Sequence, residues 1–146
     1  MKNFKLNLKK KLNRKGFTLA ELLVVVAILG ILVAISVPLF SSRLEAAKKS
    51  TDEANARAAK AVAAALMMED TALTGGADGD HGVYYYDAEN GTLEDDSAIT
   101  AYSKSAVGTQ IEGVSNAIQS EKDILKVGID RALSTITLTW TASTKS

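Results

Sequence analysis

Glu21 is the residue whose placement most needs a chemical reason. It is the only ionisable side chain between Phe17 and Phe40, in a run otherwise dominated by Leu, Val, Ile and Ala. As a helix rising ~1.5 Å per residue, this run reaches about 36 Å, enough to cross a hydrocarbon core of ~30 Å. A carboxylate at the centre of a membrane helix costs about 2.5–3.5 kcal/mol on insertion scales, and less near an end. An acid kept in such a run either sits at the interface or has a partner. Just ahead of it, Gly16 separates a basic stretch from the apolar one.

The remaining reactive side chains suggest little catalysis. There is no cysteine and one histidine, His81, so neither a disulfide nor a zinc site is expected. Asp78, Asp80, Asp87 and Glu89 surround a Gly-rich stretch. Their oxygens suit calcium, which makes Asp78 and Asp80 candidate ligands. No glutamate stands at the distance an EF-hand loop requires, and a solvated loop accounts for the same residues. No Gly-x-Ser-x-Gly elbow or phosphate-cradling glycine loop occurs. No catalytic residue, cofactor or enzymatic activity is expected. Tyr84, Tyr85 and Tyr86 read as a strand with one side in the core, or as an adhesive patch.

The formal charge of zero conceals an asymmetry. Lys2, Lys5, Lys9, Lys10, Lys11, Arg14 and Lys15 crowd the first fifteen residues, without an acid. Beyond Gly16 there are 10 basic and 17 acidic side chains, a net charge of −7. So acidic a remainder argues against nucleic acid as a direct partner, since phosphate binding runs on Lys and Arg. The basic leader reads as a topology signal that stays in the cytoplasm and sends the C-terminal part outside it. An ordinary secretory signal would carry its small-residue cut site after the apolar core. Ala34, Ser36 and Pro38 make a poor one.

The junction Arg14-Lys15-Gly16-Phe17-Thr18-Leu19-Ala20-Glu21, followed by the apolar run, resembles the class III signal of type IV prepilins. The resemblance implies cleavage after Gly16 by a prepilin peptidase and N-methylation of the new Phe17 amine. It also implies that Glu21 of one subunit pairs with the Phe17 amine of another, setting register. Carried onto this chain, the stretch between Gly30 and Pro38 is where an assembled pilin can lose helical order and lengthen. Many pilins of diderm bacteria carry a C-terminal disulfide. Its absence here departs from that pattern and fits a Gram-positive type. Secretion pseudopilins carry a calcium loop near the C-terminal end of the fold, whereas this chain's acidic run lies early.

The residues themselves extend the helix. Between 46 and 65 half the residues are Ala, with no Gly or Pro, so helix is strongly favoured. Phe40, Leu44, Ala47, Thr51, Ala54, Ala58, Ala61 and Ala65, broadened by Val62, Leu66 and Met68, recur at helical spacing and predict the buried stripe. Asp52 falls among the charges assigned to the outer faces. One helix of about fifty residues is predicted from near Phe17 to near Asp70. Pro38, lacking an N–H, predicts a kink, and Ala20, Ala27, Gly30 and Ala34 give a small-residue face. Thr74-Gly75-Gly76 stops the helix. Val83–Tyr86 reads as a short strand ended by an Asn90-Gly91 turn. Ala98 to Lys104 allows a helical turn or two, and residues 92–120 are otherwise ambiguous. Leu125, Val127 and Ile129, then Ile136, Leu138 and Trp140, alternate as in an antiparallel hairpin, with Asp130-Arg131 in the connection.

The fold class expected is α+β, a long N-terminal helix on a small antiparallel sheet. Four segments follow: a cleaved leader (1–16), a transmembrane or filament-core helix (17–40), its amphipathic continuation (41–70) and a β-rich head (71–146). The resemblance implies a subunit of an extracellular type IV pilus, concerned with adhesion at its outer surface. The precursor would be a single-pass cytoplasmic membrane protein. Its partners would be the bilayer, the prepilin peptidase, an inner-membrane assembly platform with its ATPase, and further copies of itself in a helical homopolymer. A pseudopilin of a type II secretion or competence (DNA-uptake) system shares the same first fifty residues. A membrane-anchored surface protein that never polymerises is a third reading.

Overall fold

The computed structural model describes residues 16–76 and 79–145. Among them, α1 (Leu19–Met68) precedes four strands: β1 (His81–Asp87), β2 (Thr92–Glu94), β3 (Asp123–Asp130) and β4 (Thr135–Ala142). Of the leader expected over residues 1–16, residues 1–15 lie outside the described residues. The chain divides into two units, Met1–Leu39 and Phe40–Ser146.

In the first unit the apolar run is helical from Leu19 onward, and the segment is long and apolar enough to cross a membrane. None of its most apolar window is buried within the chain. Leu22, Ile31 and Ile35 are each more than half exposed. Apolar surface on that scale is covered by lipid or by another chain, because water leaves it unfavourably hydrated. Gly30 and Pro38 both lie inside α1, and helical residues continue on either side of each. Pro38 leaves the Ala34 carbonyl without its helical donor. The Ser36 hydroxyl donates to the Leu32 carbonyl at 2.6 Å, four residues back.

In the second unit the continuation of α1 packs on an antiparallel sheet of order β2-β1-β3-β4, so the architecture is α+β. Register aligns the inward side chains in rows. Tyr86, Leu125 and Trp140 form one row, and Tyr84, Val127 and Leu138 the next. Gly82, Ile129 and Ile136 form a third. Period-2 alternation therefore read β1, β3 and β4 correctly, and all three rows face the same core. The β3–β4 turn begins at Arg131, since Asp130 still pairs with Thr135.

The buried face of α1 differs from the stripe expected. Asp52, Ala56, Ala59 and Ala63 are buried. Ala47, Thr51, Ala54, Ala61 and Ala65 are exposed, as are Phe40, Leu44 and Met68, and Ala58 is half-buried. The helix is turned by one to two residues from the expected orientation. Alanines surround this helix on all sides, so hydrophobicity distinguishes its faces weakly. Asp52, expected outside, fixes the rotation by accepting backbone hydrogen bonds at the centre.

Residues 98–104 form no helix. Their backbone finds carboxylate and carbonyl partners instead. The Tyr102 and Ser103 N–H groups donate to the Asp123 carbonyl. The N–H groups of Lys104 and Ser105 donate to the Asp52 carboxylate, at 3.0 and 2.7 Å. The buried Asp123 side chain accepts from the Gln119 N–H at 2.6 Å and from the Ser120 N–H at 3.1 Å. Ile99, Tyr102, Ile111, Val114 and Ile118 from this irregular stretch fill the core between sheet and helix.

The last turn of α1 holds no basic residue. Its free carbonyls are met by Arg131 from the β3–β4 turn. The guanidinium donates to the carbonyls of Leu66 (3.0 Å), Met67 (3.2 Å), Glu69 (2.6 Å) and Thr71 (2.6 Å). A cation there also suits the negative end of the helix dipole. Arg131→Ala is expected to cost about 2–3 kcal/mol and to lower the thermal midpoint by roughly 10 °C. Lysine, a point charge without the planar fork, recovers only part of this. Circular dichroism melts of the detergent-solubilised chain give the measurement, and an unchanged midpoint contradicts the capping role.

Candidate processing and assembly site

The start of α1 is organised by two side chains three residues apart. The Glu21 N–H donates to Thr18 Oγ1 at 3.2 Å, and the Thr18 N–H donates to Glu21 Oε2 at 2.9 Å. This is a reciprocal capping box, in which the side chains satisfy two amides that the helix leaves unpaired. It uses one carboxylate oxygen. Glu21 Oε1 has no partner among the described residues. The Thr-x-x-Glu spacing is itself a helix-start signal that the sequence reading did not use.

Gly16 and Phe17 lie just outside the helix in exposed, non-helical backbone, and Phe17 is 87% exposed. Open grooves at this end are lined by Gly16, Phe17, Thr18 and Glu21, and by Phe17, Ala20, Val24 and Val25. A Cβ at Gly16 or at Gly30 would meet nothing within 4 Å. No contact among the described residues therefore calls for glycine at either position, although Gly30 costs a helix about 1 kcal/mol relative to Ala. Gly16, Phe17, Glu21 and the surrounding apolar face are brought together. Gly30 and Pro38 lie further along the same helix.

The other candidates are occupied with structure. Asp78 lies outside the described residues. His81 Nε2 is 3.1 Å from Asp130 Oδ2, tying the start of β1 to the end of β3. Asp87 accepts the Asn90 side-chain amide at 2.8 Å and the Glu89 N–H at 2.8 Å, closing the turn into β2. The Asn90 amide, aided by those backbone donors, holds the Asp87 carboxyl below the usual carboxylate range. Among the described residues no three His, Cys, Asp or Glu side chains converge as metal ligands.

Tyr84 and Tyr86 are buried, which leaves Tyr85 as the partly exposed member of the triplet. Tyr102, which the sequence reading did not single out, takes the Leu125 N–H on its hydroxyl oxygen at 2.8 Å. Its ring lies 6.2 Å from those of Tyr86 and Trp140. Burial pushes the Tyr102 hydroxyl well above the ordinary tyrosine range.

An apolar helix that none of the described residues covers, entered through a capped acid and preceded by an exposed glycine, is compatible with a membrane-anchored precursor. Residues 11–37 match the family model described as the prokaryotic N-terminal methylation motif. That motif is the class III signal of type IV pilins and pseudopilins. It supports a type IV pilin- or pseudopilin-like precursor, a structural type of subunit. No curated protein and no solved structure matches the chain.

Proposed function

We propose that this chain is the structural subunit of an extracellular type IV pilus. Prepilin peptidase removes residues 1–16, and the assembly platform with its ATPase extrudes the product from the membrane into a helical homopolymer. Residues 17–40 line the fibre core, residues 41–70 continue them, and residues 71–146 form the outer surface. The observation that carries this reading is the half-used carboxylate at the tip of an uncovered apolar helix. A cut after Gly16 places a cationic amine next to the positive end of the helix dipole, where it is disfavoured. Glu21 Oε1 on a neighbouring copy offers that amine its counter-charge in a water-poor bundle. Gly30, where no contact among the described residues requires glycine, allows close approach of a neighbouring helix. Gly30 to Pro38 is the stretch whose helical order is easiest to lose.

Intact-mass analysis of sheared surface fibres tests the proposal. The expected species begins at N-methylated Phe17. A fibre chain that retains residues 1–16, or a surface form without the helix, overturns it. A secretion or competence pseudopilin gives the same processed mass, but only short fibres that depend on overexpression. Long fibres on wild-type cells select the pilus.

A further inference from the structure

The head carries opposite charge on its two flanks. Residues 69–96 contain nine acids and no lysine or arginine. Glu69 of the helix C-terminal end borders a groove with Gly91, Thr92 and Leu93 of the β2 edge. Glu94 ends β2, and Asp95, exposed beside it, is held by the Thr74 hydroxyl at 2.7 Å. Glu69, Glu94, Asp95 and Asp96 are all exposed. Two bases lie near this side: Lys145, which acts on Asp87 at the β1–β2 turn, and Arg131, whose guanidinium is engaged by the carbonyls at the end of α1, that of Glu69 included.

The other flank is set by α1. Lys49, Arg57 and Lys60 are spaced eight and three apart, which places them on one side of the helix. Arg57 and Lys60 line a groove with Glu112, Gly113 and Leu138 of β4. Because the sheet runs β2-β1-β3-β4, this is the opposite edge of the head. Glu112, Glu53 and Glu45 share this flank; Glu45, four residues before Lys49, pairs with Lys48 at 3.0 Å. Glu53 reaches Arg57 at 3.6 Å, a loose pair whose arginine side chain is 72% exposed. Lys49 and Lys60 are exposed and pair with no acid among the described residues.

We infer that the Lys49–Arg57–Lys60 flank of one copy docks on the Glu69–Glu94–Asp95 flank of a second copy. Two complementary surfaces on opposite edges of one molecule make a heterologous contact. Such a contact leaves one surface of each kind unused at the ends, so it propagates. Exposed ion pairs add little affinity singly, but the wrong juxtaposition of like charges is strongly disfavoured, so these pairs set register. The inference rests on the filament reading and supplies the lateral contact between heads that the N-terminal helix does not.

The absence of cysteine from the chain makes the test clean. Lys60→Cys and Glu94→Cys are placed in two differently tagged copies of the full-length protein, expressed together and oxidised on intact cells. A mixed disulfide between the two tags is expected, with none from Lys60→Cys alone. In parallel, Lys49→Glu with Lys60→Glu is expected to cut sheared fibre mass at least about tenfold. Adding Glu69→Lys with Glu94→Lys restores it to within about twofold. Thermal midpoints of the solubilised variants confirm folding, since all four positions are exposed.

Fibres that form without the cross-link, or that ignore charge reversal, overturn the contact and leave the filament reading intact. Mixed cross-links without fibres keep the contact and overturn the filament reading. Neither product overturns both. A Lys60→Cys homodimer shows an isologous face and also overturns the contact.

Discussion

Glu21→Ala is expected to abolish surface fibres while the precursor still reaches the membrane. The substitution removes two functions at once. It opens the capping box, leaving the Thr18 N–H at this exposed helix start without its side-chain acceptor. It also removes the counter-charge proposed for the Phe17 amine of a neighbour. Stripping one partner from an ion pair in a dry environment costs about 3–5 kcal/mol, because the other charge stays buried alone. At every subunit contact this is a penalty of roughly two to nearly four orders of magnitude in association. Glu21→Gln separates the functions, because glutamine serves in a capping box and cannot neutralise an amine. Fibre yield is expected to collapse with Gln almost as with Ala, while helix content in detergent stays at the wild-type level for Gln alone. Fibre mass after shearing, set against subunit in the membrane fraction, gives the measurement. Wild-type fibre mass from Glu21→Ala would refute the pairing.

The second large effect lies in the head. Asp52 is fully buried, and its two oxygens accept the N–H groups of Lys104 and Ser105. These bonds tie the irregular stretch between β2 and β3 to the middle of α1. Asp52→Ala leaves two backbone donors unsatisfied, one of them wholly buried, and opens a space beside Ala56. A cost of about 3–4 kcal/mol follows from unsatisfied donors at about 1–3 kcal/mol each, partly relieved where Lys104 reaches water. For a head of this size the thermal midpoint should fall by roughly 15–20 °C. Asp52→Asn is no rescue. One of its ends is an amide donor, so either the Ser105 or the Lys104 N–H faces another N–H. Melts of the two variants in detergent should therefore cluster together, far below wild type. A midpoint within a few degrees of wild type for Asn would show that Asp52 is not the anchor described.

What the sequence determined alone is the part governed by local chemistry. The apolar run, its lone acid and the glycine before it identify the membrane-length helix, because those properties follow from composition over a short span. Alternation in Tyr84–Tyr86, Leu125–Ile129 and Ile136–Trp140 identifies three strands, because a half-buried strand must change face at every residue. Even the unread capping box was present in the Thr18–Glu21 spacing.

Only the tertiary structure decided which face of α1 is buried. Ten alanines between residues 46 and 65 offer nearly equal apolar surface in every direction. The choice passes to Asp52, whose partners lie some fifty residues away and follow no local periodicity. Arg131 closes the helix end from a similar sequence distance, and the path of residues 95–122 is set by the two buried carboxylates of Asp52 and Asp123. Long-range polar satisfaction, invisible to patterning, settles the arrangement of the head.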